Sequence, residues 1–137
     1  MTFDRMLERV RYEGAYPTRE RAAEAVHTVL AALGRRFTGD ERVELAQCLR
    51  TEAAPALTAQ IPDTERLTGW GFVKDLAART GTTPAIARRH TGAVLTSVGR
   101  LAGPDLLTRI LRRLPDSYAL LFGRAELRRP TPQPAAA

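Results

Sequence analysis

Apolar residues recur at spacings of three and four along most of the chain, and no stretch alternates apolar with polar as a half-buried strand would. Phe3, Met6, Leu7 and Val10 share one face of a first short helix over about residues 2–12, with Thr2 placed as its N-cap. Gly14-Ala15-Tyr16-Pro17 ends it. Thr18 then caps a long helix whose stripe is Ala22, Val26, Val29, Leu30, Leu33 and Phe37, with Arg35-Arg36 near its end to suit the helix dipole. Thr38-Gly39-Asp40-Glu41 has the form of a capping box and opens a third helix carrying Leu45, Ala46 and Leu49. Pro55 has no N–H to donate, so it predicts a bend or the start of a new short helix.

After a joint over residues 60–68 the plan returns. Phe72, Val73, Leu76 and Ala77 form a short helix ended by Thr80-Gly81-Thr82. Thr83 caps a long helix with Pro84 at the favoured first position and the stripe Ala87, Thr91, Val94, Leu95, Val98 and Leu101. Gly103-Pro104-Asp105 starts a helix bearing Leu106, Leu107, Ile110, Leu111 and Leu114, and Pro115-Asp116 restarts a last turn with Tyr118, Leu121 and Phe122. The repetition is literal in places. Val29-Leu30-Ala31-Ala32-Leu33-Gly34-Arg35 recurs 65 residues later as Val94-Leu95-Thr96-Ser97-Val98-Gly99-Arg100, and the same offset carries Leu45 onto Ile110, Leu49 onto Leu114 and Leu57 onto Phe122.

Half of this chain is too small to bury its own stripe well, so each half must close against the other. The expected fold is all-α: a compact bundle of two similar three-helix halves, about residues 2–60 and 70–123, related by a pseudo-two-fold axis. Together they make one domain over 1–123, followed by a flexible tail over 124–137.

Composition narrows the function classes. With one cysteine there is no intramolecular disulfide, and Cys48 sits in a helical run where a small buried hydrophobe is expected. The N-terminus lacks a signal-peptide pattern, and no apolar run reaches the roughly 18 to 20 residues that span a bilayer, so a cytoplasmic protein that engages no membrane is expected. The net charge is +6, but Lys74 is the only lysine among 21 basic residues. Such a skew toward arginine suits a GC-rich genome, and it favours solvated helix faces over a polyanion site.

Chemistry-bearing clusters are sparse. His27 and His90 lie 63 residues apart, off the repeat offset, and the single pairing of His27 with Glu24 at i−3 does not make a metal site. No nucleophilic triad or phosphate loop is recognisable, so neither catalytic residues nor a cofactor are expected. Trp70, between Gly69 and Gly71, is expected to anchor the joint to the core, with the wall of a ligand groove as the alternative. The strongest surface is basic: Arg109, Arg112 and Arg113 at helical spacing, with Arg88 and Arg89 on the preceding helix, form a candidate anion or nucleic-acid site. Basic charge gathers on one copy only, because Arg109, Arg112 and Arg113 answer Glu44, Gln47 and Cys48.

The opening Phe3-Asp4-Arg5-Met6-Leu7-Glu8-Arg9-Val10, the paired Val-Leu helices and the closing Leu114-Pro115-Asp116-Ser117-Tyr118-Ala119-Leu120-Leu121-Phe122 resemble the bacterial, largely actinobacterial, family known as domain of unknown function 2267. The resemblance spans about residues 2–123 and implies a small cytoplasmic all-helical protein of two similar halves, often found near stress-related genes. It brings no activity and no catalytic residues. One departure has a structural consequence. The family usually has Gln-Leu-Pro in both halves, whereas the first half here reads Gln47-Cys48-Leu49-Arg50, with Arg50 where the second copy has Pro115, so the third helix is expected to run longer. The expected function is a non-enzymatic interaction protein acting through protein partners or self-association; the alternative is an arginine-mediated nucleic-acid binder.

Overall fold

Threonines start three of the helices. Thr18, Thr68 and Thr83 are extended in backbone, and each side-chain oxygen accepts from the backbone N–H three residues on, capping α2 (Arg19–Gly34), α4 (Gly69–Thr80) and α5 (Pro84–Ala102). A computed structural model describes residues 3–124, without the side chains of residues 50 and 51. Among the described residues the remaining helices are α1 (Phe3–Gly14), α3 (Asp40–Thr58), α6 (Pro104–Arg112) and α7 (Tyr118–Leu121), with no strand. The expected cap Thr2 and the tail from residue 125 lie outside the described residues; Arg124, assigned to the tail from sequence, is instead tied to the bundle through its N–H to the Ala119 carbonyl and its guanidinium to Thr108.

Two expectations about α3 fail for physical reasons. Its N-cap is Gly39 at φ 99°, not Thr38, and the side chain that would complete a capping box, Glu41, accepts from Arg113 Nε at 3.0 Å. Pro55 does not start a new helix: it sits inside α3, and the Ala59 N–H still donates to the Pro55 carbonyl at 2.9 Å. The longer third helix did form, with 19 residues in α3 against nine in α6. At residue 50 the chain stays helical, whereas Pro115 lies just beyond the end of α6, where a proline cannot continue the ladder.

The core is built from the repeated positions. Val29 and Val94, Leu30 and Leu95, Leu33 and Val98, Leu45 and Ile110, Leu49 and Leu114, and Leu57 and Phe122 are all at most 5% exposed. Gly34 and Gly99 are also equivalent, and each lies against the residue 23 positions later: Gly34 on the Leu57 backbone, Gly99 beside Phe122. α5 touches every other described helix, so the second long helix is the spine of the bundle.

The segment between the copies is held by side chains from both. Arg35 donates to Gln60 Oε1, Arg42 to the Leu57 and Gln60 carbonyls, and Arg36 to the Glu65 carbonyl and Asp63 carboxylate. Tyr118, fully buried, donates its hydroxyl to the Leu67 carbonyl at 2.9 Å and meets Phe72 edge-on. The arginines at the end of α2 therefore act mainly as clamps on the joint.

Candidate functional site

The five arginines read from sequence do not make one free surface. Arg109 donates through both terminal nitrogens to Glu44 of α3, each at 2.8 Å, and Arg113 donates to Glu41. The fork of hydrogen bonds from Arg109 holds the Glu44 carboxyl below the usual carboxylate range and raises the guanidinium in turn. Arg112 is exposed. Arg88 and Arg89 stand in the first half of α5, whereas α6 approaches the far end of that helix, where Leu107 lies against Gly99. Ten residues of helix from Arg89 to Gly99 amount to about 15 Å, so the α5 and α6 arginines are separate features.

A different constellation forms where the chain leaves α1 and α4. Both helices end the same way. The N–H of Tyr16 donates to the Arg11 carbonyl across the left-handed Ala15 (φ 55°), and that of Thr82 to the Ala77 carbonyl across the left-handed Gly81 (φ 69°). The first turn puts its glycine one position earlier because the Tyr16 ring lies on Gly14, in the space a Cβ there would need. Arg11 fixes the turn further by donating to the Pro17 carbonyl at 3.1 Å.

Between these turns and the starts of α2 and α5 lies a cavity of about 460 Å³, a volume typical of small-ligand clefts. Its walls carry Tyr16, Arg21, Glu24, Ile86, Arg89 and His90. The Tyr16 and His90 rings are stacked, with centroids 5.4 Å apart and planes 18° from parallel, and Tyr16 Oη lies 2.5 Å from His90 Nδ1. Burial pushes the Tyr16 hydroxyl up to about 12, so it keeps its proton. His90 is held below its ordinary value, first by burial and then by the charges of Arg89 and Arg21, with Glu24 opposing them.

The family model described as an uncharacterized conserved protein (DUF2267) matches residues 3–121. The chain belongs to the DUF2267 family. No curated protein matches it. The matched stretch takes in all but the outer edges of both repeats of this DUF2267 chain, every wall of the cleft and the two glutamate–arginine pairs that link α3 to Arg109 and Arg113.

Sequence reasoning missed the cleft because its partners are far apart: Tyr16 and His90 are separated by 74 residues. A signal was present in the offset itself. Glu24 and Ala25 answer Arg89 and His90, and all four line the cleft, so the copies differ in charge where they meet. Trp70 was also misplaced. It does not lock the joint but stands 56% exposed on the first turn of α4, with Lys74 Nζ 5.8 Å from its ring; Tyr118 and the joint arginines perform the locking. His27 is exposed, bonded to the Ala23 carbonyl, and Cys48 is half-buried against the core. Among the described residues no His, Cys, Asp and Glu group suited to a metal occurs, and no helix is long and apolar enough to cross a membrane.

Proposed function

We propose that this protein is a non-enzymatic helical interaction protein that works through a protein partner or through self-association, with Trp70 anchoring the contact. The observation that carries this is the exposure of the chain's only tryptophan on a turn that is fixed from behind. Thr68 caps that turn, and the Gly69 N–H donates to Ser117 Oγ at 2.7 Å. A large aromatic on a turn whose backbone is already fixed costs less to order on binding, and tryptophan is enriched among residues that dominate interfaces. Its fluorescence supplies the test. Raising the protein from micromolar to millimolar concentration should shift the emission to the blue in step with an increase in sedimentation coefficient, and Trp70→Ala should abolish the increase. If the protein stays monomeric, the same shift should appear on adding its partner, recovered from nuclease-treated lysate by wild type and not by Trp70→Ala. Capture indifferent to Trp70 would end the proposal.

The nucleic-acid alternative is supported by one observation: Arg88, Arg89 and Arg112 carry no ion pair among the described residues. The pairing of Arg109 and Arg113 within the chain weighs against it. A salt-sensitive mobility shift on duplex DNA, lost on Arg88→Glu/Arg112→Glu, would establish it, and absence of a shift at low salt would remove it.

We also infer that the two copies face each other across an approximate two-fold axis. Support comes from contacts between equivalent positions: Arg109 with Glu44, and Ala25 and His90 in one cleft. Such an axis makes positions 44 and 109 interchangeable, which a charge exchange can test.

A further inference from the structure

We propose that the cleft between the α1–α2 and α4–α5 turns binds a small oxyanion, the phosphate or carboxylate group of a metabolite-sized ligand, between Arg21 and Arg89. The two arginines come from opposite copies and line one cavity. Neither is in an ion pair among the described residues, although Arg11, Arg19, Arg36, Arg79, Arg100, Arg109 and Arg113 all are. Glu24 is the one carboxylate on the walls, so two positive charges face one negative charge and an anion is attracted on balance. Planar guanidiniums match the paired oxygens of phosphate and carboxylate.

The aromatic wall adds a donor. Tyr16 Oη engages Nδ1 of His90 and leaves Nε2 as the ring nitrogen without a partner among the described residues; in the tautomer where the hydroxyl donates to Nδ1, Nε2 carries the proton and can donate it to a bound oxygen. Tyr16 is itself fixed against Gly14 and through the Arg11 bonds to its loop, so this wall is preorganised. Ile86 contributes apolar surface for the rest of the ligand. The site rests on groups distinct from Trp70, so it stands or falls independently of the interaction surface.

The two histidines make the test specific. Inorganic phosphate and, separately, citrate are titrated into the full-length protein at constant ionic strength while the imidazole resonances are followed by NMR. Binding in the cleft predicts a saturable shift of the His90 signals with His27, which lies outside the cleft, unmoved. Arg21→Gln and Arg89→Gln should each weaken binding at least tenfold, whereas Arg88→Gln, a change outside the cleft walls, should leave it intact. Saturation by phosphate alone assigns a phosphate ligand, and by citrate alone a carboxylate. Shifts that are equal at both histidines, linear in concentration, or unchanged in the Arg21 and Arg89 variants would overturn the proposal, as would the absence of any shift at low ionic strength.

Discussion

Arg109 grips Glu44, the residue that occupies its own position in the other copy, through two hydrogen bonds of 2.8 Å. Both side chains are about 40% exposed, so solvent and salt screen the pair, and its value lies in register as much as in strength. Glu44→Arg and Arg109→Glu should each lower the melting temperature by a few degrees at low salt, because each sets like charges face to face. The double exchange should recover most of the loss. Thermal melts of the four proteins at low and high salt measure the coupling, which should shrink as salt rises.

The equivalent glycines should respond differently to one methyl group. At Gly34 a Cβ would run into the Leu57 carbonyl, which is backbone and cannot turn aside. At Gly99 the nearest atom is Leu107 Cδ2 at 3.2 Å, the end of a flexible side chain. Gly34→Ala is expected to cost about 3 kcal/mol, at the upper end of overpacking penalties. Gly99→Ala should fall within about 1 kcal/mol of wild type, since the gain in helix propensity offsets the squeeze. Urea denaturation separates the two.

The threonines provide a second internal comparison. Thr18→Ala and Thr83→Ala each remove a side-chain acceptor from a helix N-terminus and should cost about 1 kcal/mol. Thr38→Ala should cost almost nothing, because Gly39 is the cap of α3 and that side chain accepts no capping bond. Urea midpoints of the three variants, measured together, decide it.

His90 gives the fold a pH dependence of known sign. Its folded value is lowered from 6.5, by burial first and by Arg89 and Arg21 second, so the unfolded chain binds the proton more readily. The neutral, stacked imidazole therefore contributes stability that is complete above the ordinary histidine value and is lost as pH falls through it toward the lowered one. Glu24 opposes the shift, and the Tyr16 hydroxyl stays protonated throughout. Wild type should lose urea resistance between about pH 7.5 and about pH 5.5 more steeply than His90→Gln. Parallel curves would show that another group sets the slope.

The apolar register was open to sequence reasoning because a helix stripe is a local pattern and the duplication states it twice. Val29 and Val94, or Leu45 and Ile110, are buried where their spacing puts them. Local chemistry failed where a distant side chain competed for it. Glu41 reads as half of a capping box until Arg113 takes its oxygen, and Trp70 reads as an anchor until Tyr118 fills that role from a helix 48 residues away. The arginines show the same limit: Arg109 looked free because its partner lies on another helix. The cleft needed two turns brought together by the whole bundle, so only the contrast of Glu24-Ala25 with Arg89-His90 hinted at it.

Position 44 meets position 109, its counterpart by the sequence offset, and under the inferred two-fold arrangement this contact sits at the axis. Two identical chains, each one copy long, would bring carboxylate to carboxylate or guanidinium to guanidinium at that point. A single chain holding both copies escapes the restriction, because each can change without its twin. Opposite charges at the meeting point, and arginine with histidine facing glutamate with alanine across the cleft, are arrangements open only to unequal partners. On that arrangement, joining the copies in one polypeptide gives a helical pair the asymmetry of a heterodimer in a fixed one-to-one ratio.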